Sequence, residues 1–426
     1  MLSRTENGSQ FGLARAAGLI IVMAVLAAGG AMARAQEASP QKRDAQAMDV
    51  HDLLRKLFHK TVQEVAAERP IVPMKLMLNW TPFITGNSSN GFGLGAAGNA
   101  AFYAGDPETT KISAAVPSVS LTTKAKIFLY LQGSYYSRDN EWHVDADNRL
   151  NLTSETTYGL GTNTAPGAGV NTKYNLFRVY DTAYHQVLPG LYLGGGFLFN
   201  ARTAIRPGAD EEAVWPESPF VTYSEQNGFK LTSQNSAGVS VNALYDTRDN
   251  FITPSRGFYA NGNYRFFFEG FLGGASSWQE FIGDLRTYAR LGGSERHILA
   301  FWLYGDFVTR GTAPYFDLPA TSTDTYGHTG RGYLIGRFRG EDMAYGEAEY
   351  RWTVTRNGLF GMVAFLNTGT LSDRQSDERL FDSFATGYGF GLRLRFDKKS
   401  KTNLTADFGW GKDGSFGFYL GVQEAY

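Results

Sequence analysis

Arg331-Gly332-Tyr333 and the nearby run Glu347-Ala348-Glu349-Tyr350-Arg351 place a guanidinium close in sequence to two carboxylates. The chemistry such residues offer is charge pairing. In an extended segment Glu347 and Glu349 lie two apart and face the same side. Bond-making chemistry has less to draw on. A nucleophile needs an adjacent base, usually His. The chain has six His and no Cys, and no His stands in a His-Glu-x-x-His or Gly-x-Ser-x-Gly setting. His328 reads as a loop residue rather than a base. Asp246 and Asp249 lack a third ligand for a metal. No enzymatic activity and no cofactor are expected.

These residues sit in a chain of 426 residues with 50 Gly, 31 Phe and 23 Tyr. Glycine and aromatics in that proportion suit many strands, tight turns and interfacial rings. Without cysteine there are no disulfides or thiolate sites. A net charge of -1 gives no reason to expect nucleic acid as a partner.

Residues 1–35 read as an export signal, with Arg4 and Arg15 before or within the start of an apolar stretch from Ala16 to Ala28. Ala33-Arg34-Ala35 supplies the small-x-small cleavage pattern. Within 36–73, Val50, Leu53, Leu54, Leu57, Phe58, Thr61, Val62 and Val65 recur at three- and four-residue spacing. They predict a short periplasmic amphipathic helix that ends by Pro70 and Pro73 and packs on a barrel mouth or plugs it, with an interfacial or partner-binding helix as the alternative.

From Met74 the period changes to alternation, so 74–426 is read as one domain. Lys126 to Tyr135, Gly190 to Phe199, Ala237 to Tyr245, Ile298 to Val308, Gly361 to Asn367, Gly387 to Phe396, Asn403 to Trp410 and Ser415 to Val422 are typical strands. Most are about eight to eleven residues, enough for a tilted strand to span a bilayer. Ser137 to Asn140 and Lys412 to Gly414 suit hairpin turns, while Arg202 to Gln226 and Thr309 to Gly330 read as longer loops. No run of about twenty apolar residues follows the signal, so a closed barrel is the remaining way to cross a bilayer. The fold expected is all-β, a transmembrane antiparallel barrel of about sixteen strands. Gly417 to Tyr426 reads as its last strand, alternating and stopping on an aromatic.

Two motifs are more specific: Tyr245-Asp246-Thr247-Arg248-Asp249-Asn250 through Gly257-Phe258-Tyr259, and Gly330-Arg331-Gly332-Tyr333-Leu334-Ile335-Gly336-Arg337-Phe338. Together they resemble the bacterial surface antigen superfamily, the barrel of BamA/TamA-type assembly proteins and two-partner secretion transporters. The first motif is itself a strand, a turn and a strand. For the second, the resemblance implies a lid loop folded into the lumen, with Arg331, Gly332 and Tyr333 at its tip. It implies Glu347 and Glu349 as lumen-wall partners. The family's wall motif Phe-x-Asp-x-Gly appears as Phe365-Leu366-Asn367-Thr368-Gly369, with Asn367 in place of the acid and expected to accept a hydrogen bond. The family's Gly-x-Arg appears as Gly391-Leu392-Arg393, which places Arg393 on the same wall.

The resemblance implies the outer membrane of a Gram-negative-type bacterium, insertion by the barrel-assembly machinery, and contact with outer-membrane lipids. Unfolded outer-membrane or exported proteins are the partners it suggests. About forty residues stand between the signal and the first strand, too few for the periplasmic repeat domains by which family members capture substrates. Two functions stay open: a reduced insertion or translocation barrel, and a passive pore or structural barrel.

Overall fold

In a computed structural model, the structure describes residues 47–50, 52–53, 74–325, 327–398, 401–422 and 424–426. The export signal, most of the amphipathic segment, Lys399 and Ser400 lie outside the described residues.

Sixteen strands run in sequence order and close on themselves. They are β1 (Met77–Asn87), β2 (Gly91–Phe102), β3 (Ser113–Thr122), β4 (Ile127–Tyr136), β5 (Trp142–Thr157), β6 (Val170–Leu188), β7 (Leu191–Pro207) and β8 (Gln234–Asp246). The second half holds β9 (Gly257–Phe267), β10 (Trp278–Arg290), β11 (His297–Gly311), β12 (Asp342–Thr353), β13 (Phe360–Leu371), β14 (Ala385–Asp397), β15 (Thr402–Gly411) and β16 (Phe416–Val422). Every neighbouring pair is antiparallel, and β1 and β16 close the ring. Among the described residues no helix is long and apolar enough to cross a membrane.

Alternation sets the two faces. Along β8, Ser240, Asn242 and Leu244 are buried inside, while Val239, Val241 and Tyr245 point outward and are exposed. The outward set continues around the wall with Leu193, Phe197, Phe281 and Leu285. This is the apolar-out, polar-in pattern of a barrel facing lipid. Tyr388, Phe390, Phe416 and Trp410 stack on one another on the outer face near one rim, as in an interfacial aromatic girdle.

The turns differ between the rims. One rim carries the connection 208–233, with α1 (Pro219–Gln226), and the connection 312–341. The other has shorter links, including the two residues between β6 and β7. Short turns belong to the periplasmic rim and long loops to the outside. Both long connections begin later than the sequence suggested, because β7 continues to Pro207 and β11 to Gly311. They pack together over the barrel end, with Phe220 and Tyr223 of α1 meeting Tyr315 and Phe316 in one buried cluster. On the opposite rim, the Met48 N–H donates to the Asn357 carbonyl (2.9 Å), and Lys398 Nζ meets Asp52 (2.7 Å). The described start of the N-terminal segment therefore rests on the turns of that rim.

The closure between β1 and β16 is short. Among the described residues only Gly86–Leu420 and Asn87–Tyr419 are paired there, whereas β1 pairs with β2 from Met77 to Asn87. The reason lies in β16, which departs from the expected last strand. It stops at Val422, and Glu424, Ala425 and Tyr426 are buried inside the barrel. The lower part of β1 thus has no partner on that side among the described residues.

Candidate functional site

The connection between β11 and β12 enters the lumen and brings Arg331 against the wall. Its guanidinium is 1% exposed and lies 3.8 Å from the centre of the Phe365 ring. Nε donates to Glu347 (3.2 Å), Nη1 to Asp407 (2.9 Å), and Nη2 to both Glu347 and Glu349. Strand geometry supplies the acceptors. Glu347 and Glu349 project inward from β12, and Asp407 projects inward from β15 on the far side of β13 and β14. A planar fork surrounded by three carboxylates uses most of its donors in charge-assisted bonds, the strong kind.

Gly332 and Tyr333 complete the tip. Gly332 has φ +112°, and a β-carbon there would stand 3.0 Å from the Trp410 carbonyl oxygen, so both conformation and space select glycine. Its N–H donates to the Tyr419 hydroxyl (3.1 Å), which in turn donates to the Tyr333 carbonyl (2.8 Å). The Tyr333 hydroxyl donates to the Thr386 carbonyl (2.5 Å) and accepts the Lys412 N–H (2.9 Å). The tip is therefore tied to β14, β16 and the β15–β16 turn.

One wall residue takes a different part from the one expected. Asn367 lies opposite Glu347 in the β12–β13 register, but it accepts nothing from the guanidinium. Its amide donates instead to the Arg331 carbonyl (2.9 Å), and its own oxygen is buried without a partner. Arg393 stands on the wall within the same network: it pairs with Asp407, which also accepts from Arg331, and donates to Glu424 (2.7 Å).

Asp407 and Tyr345 were not singled out in the sequence, and Arg351, Asn403 and His328 were given no part in the clamp. Asp407 is the clearest, and its signal is a lone acid on the inward face of Asn403 to Trp410. Arg351 donates to Glu349 (2.6 Å) and to the Tyr426 main-chain oxygen (2.7 Å). The Tyr345 hydroxyl donates to Glu347 (2.6 Å), and Asn403 donates to Glu424 (2.7 Å). His328 Nδ1 lies 2.6 Å from the Ala425 carbonyl oxygen. The inward-turned tail thus touches both the long loop and the wall. Three arginines and four carboxylates form one connected network in the lumen. Each of the three guanidinium groups in it is paired with at least one carboxylate.

Residues 117–424 match the Omp85 superfamily domain. No match is found among curated protein sequences. Among solved structures, the barrel is similar to BamA from Haemophilus ducreyi lacking POTRA domains 1-3, at 12% identity and a TM-score of 0.54. That match covers 82% of this chain and 70% of that one. It is also similar to CdiB from Acinetobacter baumannii, at 11% identity and a TM-score of 0.53, covering 81% of this chain and 59% of that one. CdiB from Escherichia coli gives 10% identity and a TM-score of 0.51, with 83% and 68% covered. These likenesses are of fold: a closed barrel of the kind found in outer-membrane proteins. With most of its length matched, the chain belongs to the Omp85 superfamily and is an outer-membrane β-barrel.

Proposed function

We propose that this barrel aids the insertion or translocation of proteins at the outer membrane, with the β11–β12 connection acting as a lid held by Arg331. The observation that carries this reading is the β1–β16 closure, two residue pairs long where β15 and β16 share seven. A short seam can part at lower cost than any other strand pair, because few ladder hydrogen bonds must break. A lid anchored to β14 and β16 then links the state of the lumen to that of the seam. The partners would be unfolded outer-membrane or exported proteins, and no bond-making chemistry is required of the barrel.

A second reading, a passive barrel, draws on the same lumen: a loop and a tail clamped by buried charge close the conduit. An insertion assay in proteoliposomes separates the two. The refolded protein and Arg331→Ala, both checked for the folded barrel by heat-modifiable gel mobility, are tested for speeding the folding of an unfolded outer-membrane protein. Acceleration by the parent that falls in the variant supports the insertion reading. A folded parent that gives no acceleration removes it for that client and leaves the passive barrel.

A further inference from the structure

Away from the Arg331 network, the lumen holds a polar cavity of about 460 Å³ between the long loop and the inner face of β4–β7 and β9–β11. That size falls in the range of small-molecule sites, roughly 300–1,000 Å³. Five buried or half-buried cations line it, and they are not satisfied alike. Arg149 is held by Asp147 through two bonds (2.7 and 2.8 Å), Arg202 by Asp317, and Arg265 by Glu280 (3.0 Å). Among the described residues Lys126 donates to neutral oxygens, those of Ser89 (3.0 Å), Asn90 (3.0 Å) and Ser154 (2.7 Å).

Arg178 differs from the others. Its single hydrogen bond to a described residue runs from Nε to Asn200 Oδ1, and is long at 3.4 Å. Asn200 is held in that orientation because its amide donates to Asp317. The Tyr180 ring lies 4.6 Å from the guanidinium carbon. The fork at Nη1 and Nη2 therefore has no carboxylate among the described residues. The nearest candidate is taken: both Asp147 oxygens are engaged by Arg149, and one also accepts from Gln132 (2.9 Å).

Register sharpens the point. Arg149 and Arg178 are direct cross-strand partners on β5 and β6, facing the same lumen. Like charges directly opposite are unfavourable in a sheet. Asp147 compensates one of the two. A barrel wall with one arginine left unpaired beside a second has an electrostatic demand for one more negative group. A planar fork in a confined site matches a carboxylate or a phosphate in two parallel bonds.

We propose that Arg178, with the Tyr180 ring beside it and Arg149 opposite, forms an oxyanion site in this cavity, taking a small solute that bears a carboxylate or a phosphate. Arg178 and Tyr180 stand on β6, away from the Arg331 network and the β1–β16 closure, while the long loop lines the opposite side of the cavity.

The test uses the full refolded chain in detergent micelles. Equilibrium dialysis measures uptake of labelled inorganic phosphate and, separately, of labelled succinate, at constant ionic strength set by chloride. The parent is expected to bind at least one of the two in about one equivalent. Arg178→Gln should bind at least roughly tenfold more weakly, as expected for loss of a charge-assisted bond. Arg178→Lys, which keeps charge but loses the fork, should fall between. Arg206→Gln, outside the cavity lining, should bind like the parent. The parent alone gives a second readout: its urea midpoint should rise with the bound anion and not with equal chloride. Saturable uptake of neither anion by the parent, or undiminished uptake by folded Arg178→Gln, would overturn the proposal. Binding of phosphate but not succinate, or the reverse, assigns the headgroup chemistry.

Discussion

Arg331 sits among Glu347, Glu349 and Asp407 with almost no exposure, so its removal does more than delete attractive contacts. It leaves three carboxylates in a confined space with only Arg351 and Arg393 beside them. Breaking a buried charge group by taking one partner typically costs about 3–5 kcal/mol. Arg331→Ala is therefore expected to lower stability by that order, read as a drop in the urea midpoint by tryptophan fluorescence; an unchanged midpoint would mean the loop is not docked. Asn367→Asp tests the part the structure gives that amide. The change removes the donor to the Arg331 carbonyl and sets a carboxylate opposite Glu347. A loss of about 1–3 kcal/mol is expected by the same measurement. An acceptor role toward the guanidinium would instead predict a gain, since a charged acceptor binds arginine more strongly. The sequence could show that Glu347 and Glu349 share a face, because strand period is a local property. It could not show which acid across the barrel closes the clamp. Asp407 is 76 residues from Arg331 and meets it only after the barrel has closed.

At the scale of the element, the turn between β8 and β9 shows what a local motif can specify. Asp249 accepts the N–H groups of Ser255 (2.9 Å) and Arg256 (3.2 Å), the Ser255 hydroxyl (2.5 Å) and Arg290 (2.8 Å). Burial pushes its carboxyl up, but these donors and the Arg290 charge outweigh that and hold it below the usual Asp range. A depressed carboxyl contributes stability above the ordinary Asp value, near 3.9, and loses it as pH falls through the folded value. Asp249→Asn should accordingly unfold at lower urea than the parent from pH 8 to pH 5. The gap should then close below about pH 4. A gap that stays constant into acid would show that the carboxylate charge is not what matters. Strand positions and turns were legible because alternation, Asp, Asn and Gly act over a few residues. The inward bend after Val422 was not. Gly417 to Tyr426 alternates throughout, and the strand ends early because Glu424 meets Arg393 and Asn403, and Tyr426 meets Arg351. Those partners come from other strands and outweigh local period. The short seam follows from this bend. Amides of β1 from Met77 to Thr85 that point away from β2 should exchange hydrogen faster than amides of β10 and β11, which are paired on both sides.

For the whole molecule, sixteen strands make a ring wide enough for an aqueous channel unless something fills it. Two structures fill this one. The packed loops at one end bury Phe220, Tyr315 and Phe316, and the lumen beneath holds Trp302, Tyr333, Tyr345 and Tyr426 in a second cluster. The Arg331 network fastens the loop to the wall beside the second cluster. Ion flow should therefore be small in a planar bilayer holding the intact chain, and should depend on the loop rather than on the wall. Arg331→Ala is expected to raise the frequency of open events. Replacement of 322–335 by a short Gly-Ser link, with the wall untouched, is expected to give a steady large conductance. A trimmed loop that conducts no better than the parent would show that the plug lies elsewhere, with the tail at Glu424 to Tyr426 as the remaining obstruction. Truncating that tail would then be the decisive comparison, because it releases Arg351 and Arg393 without disturbing the loop's own bonds to Glu347 and Glu349.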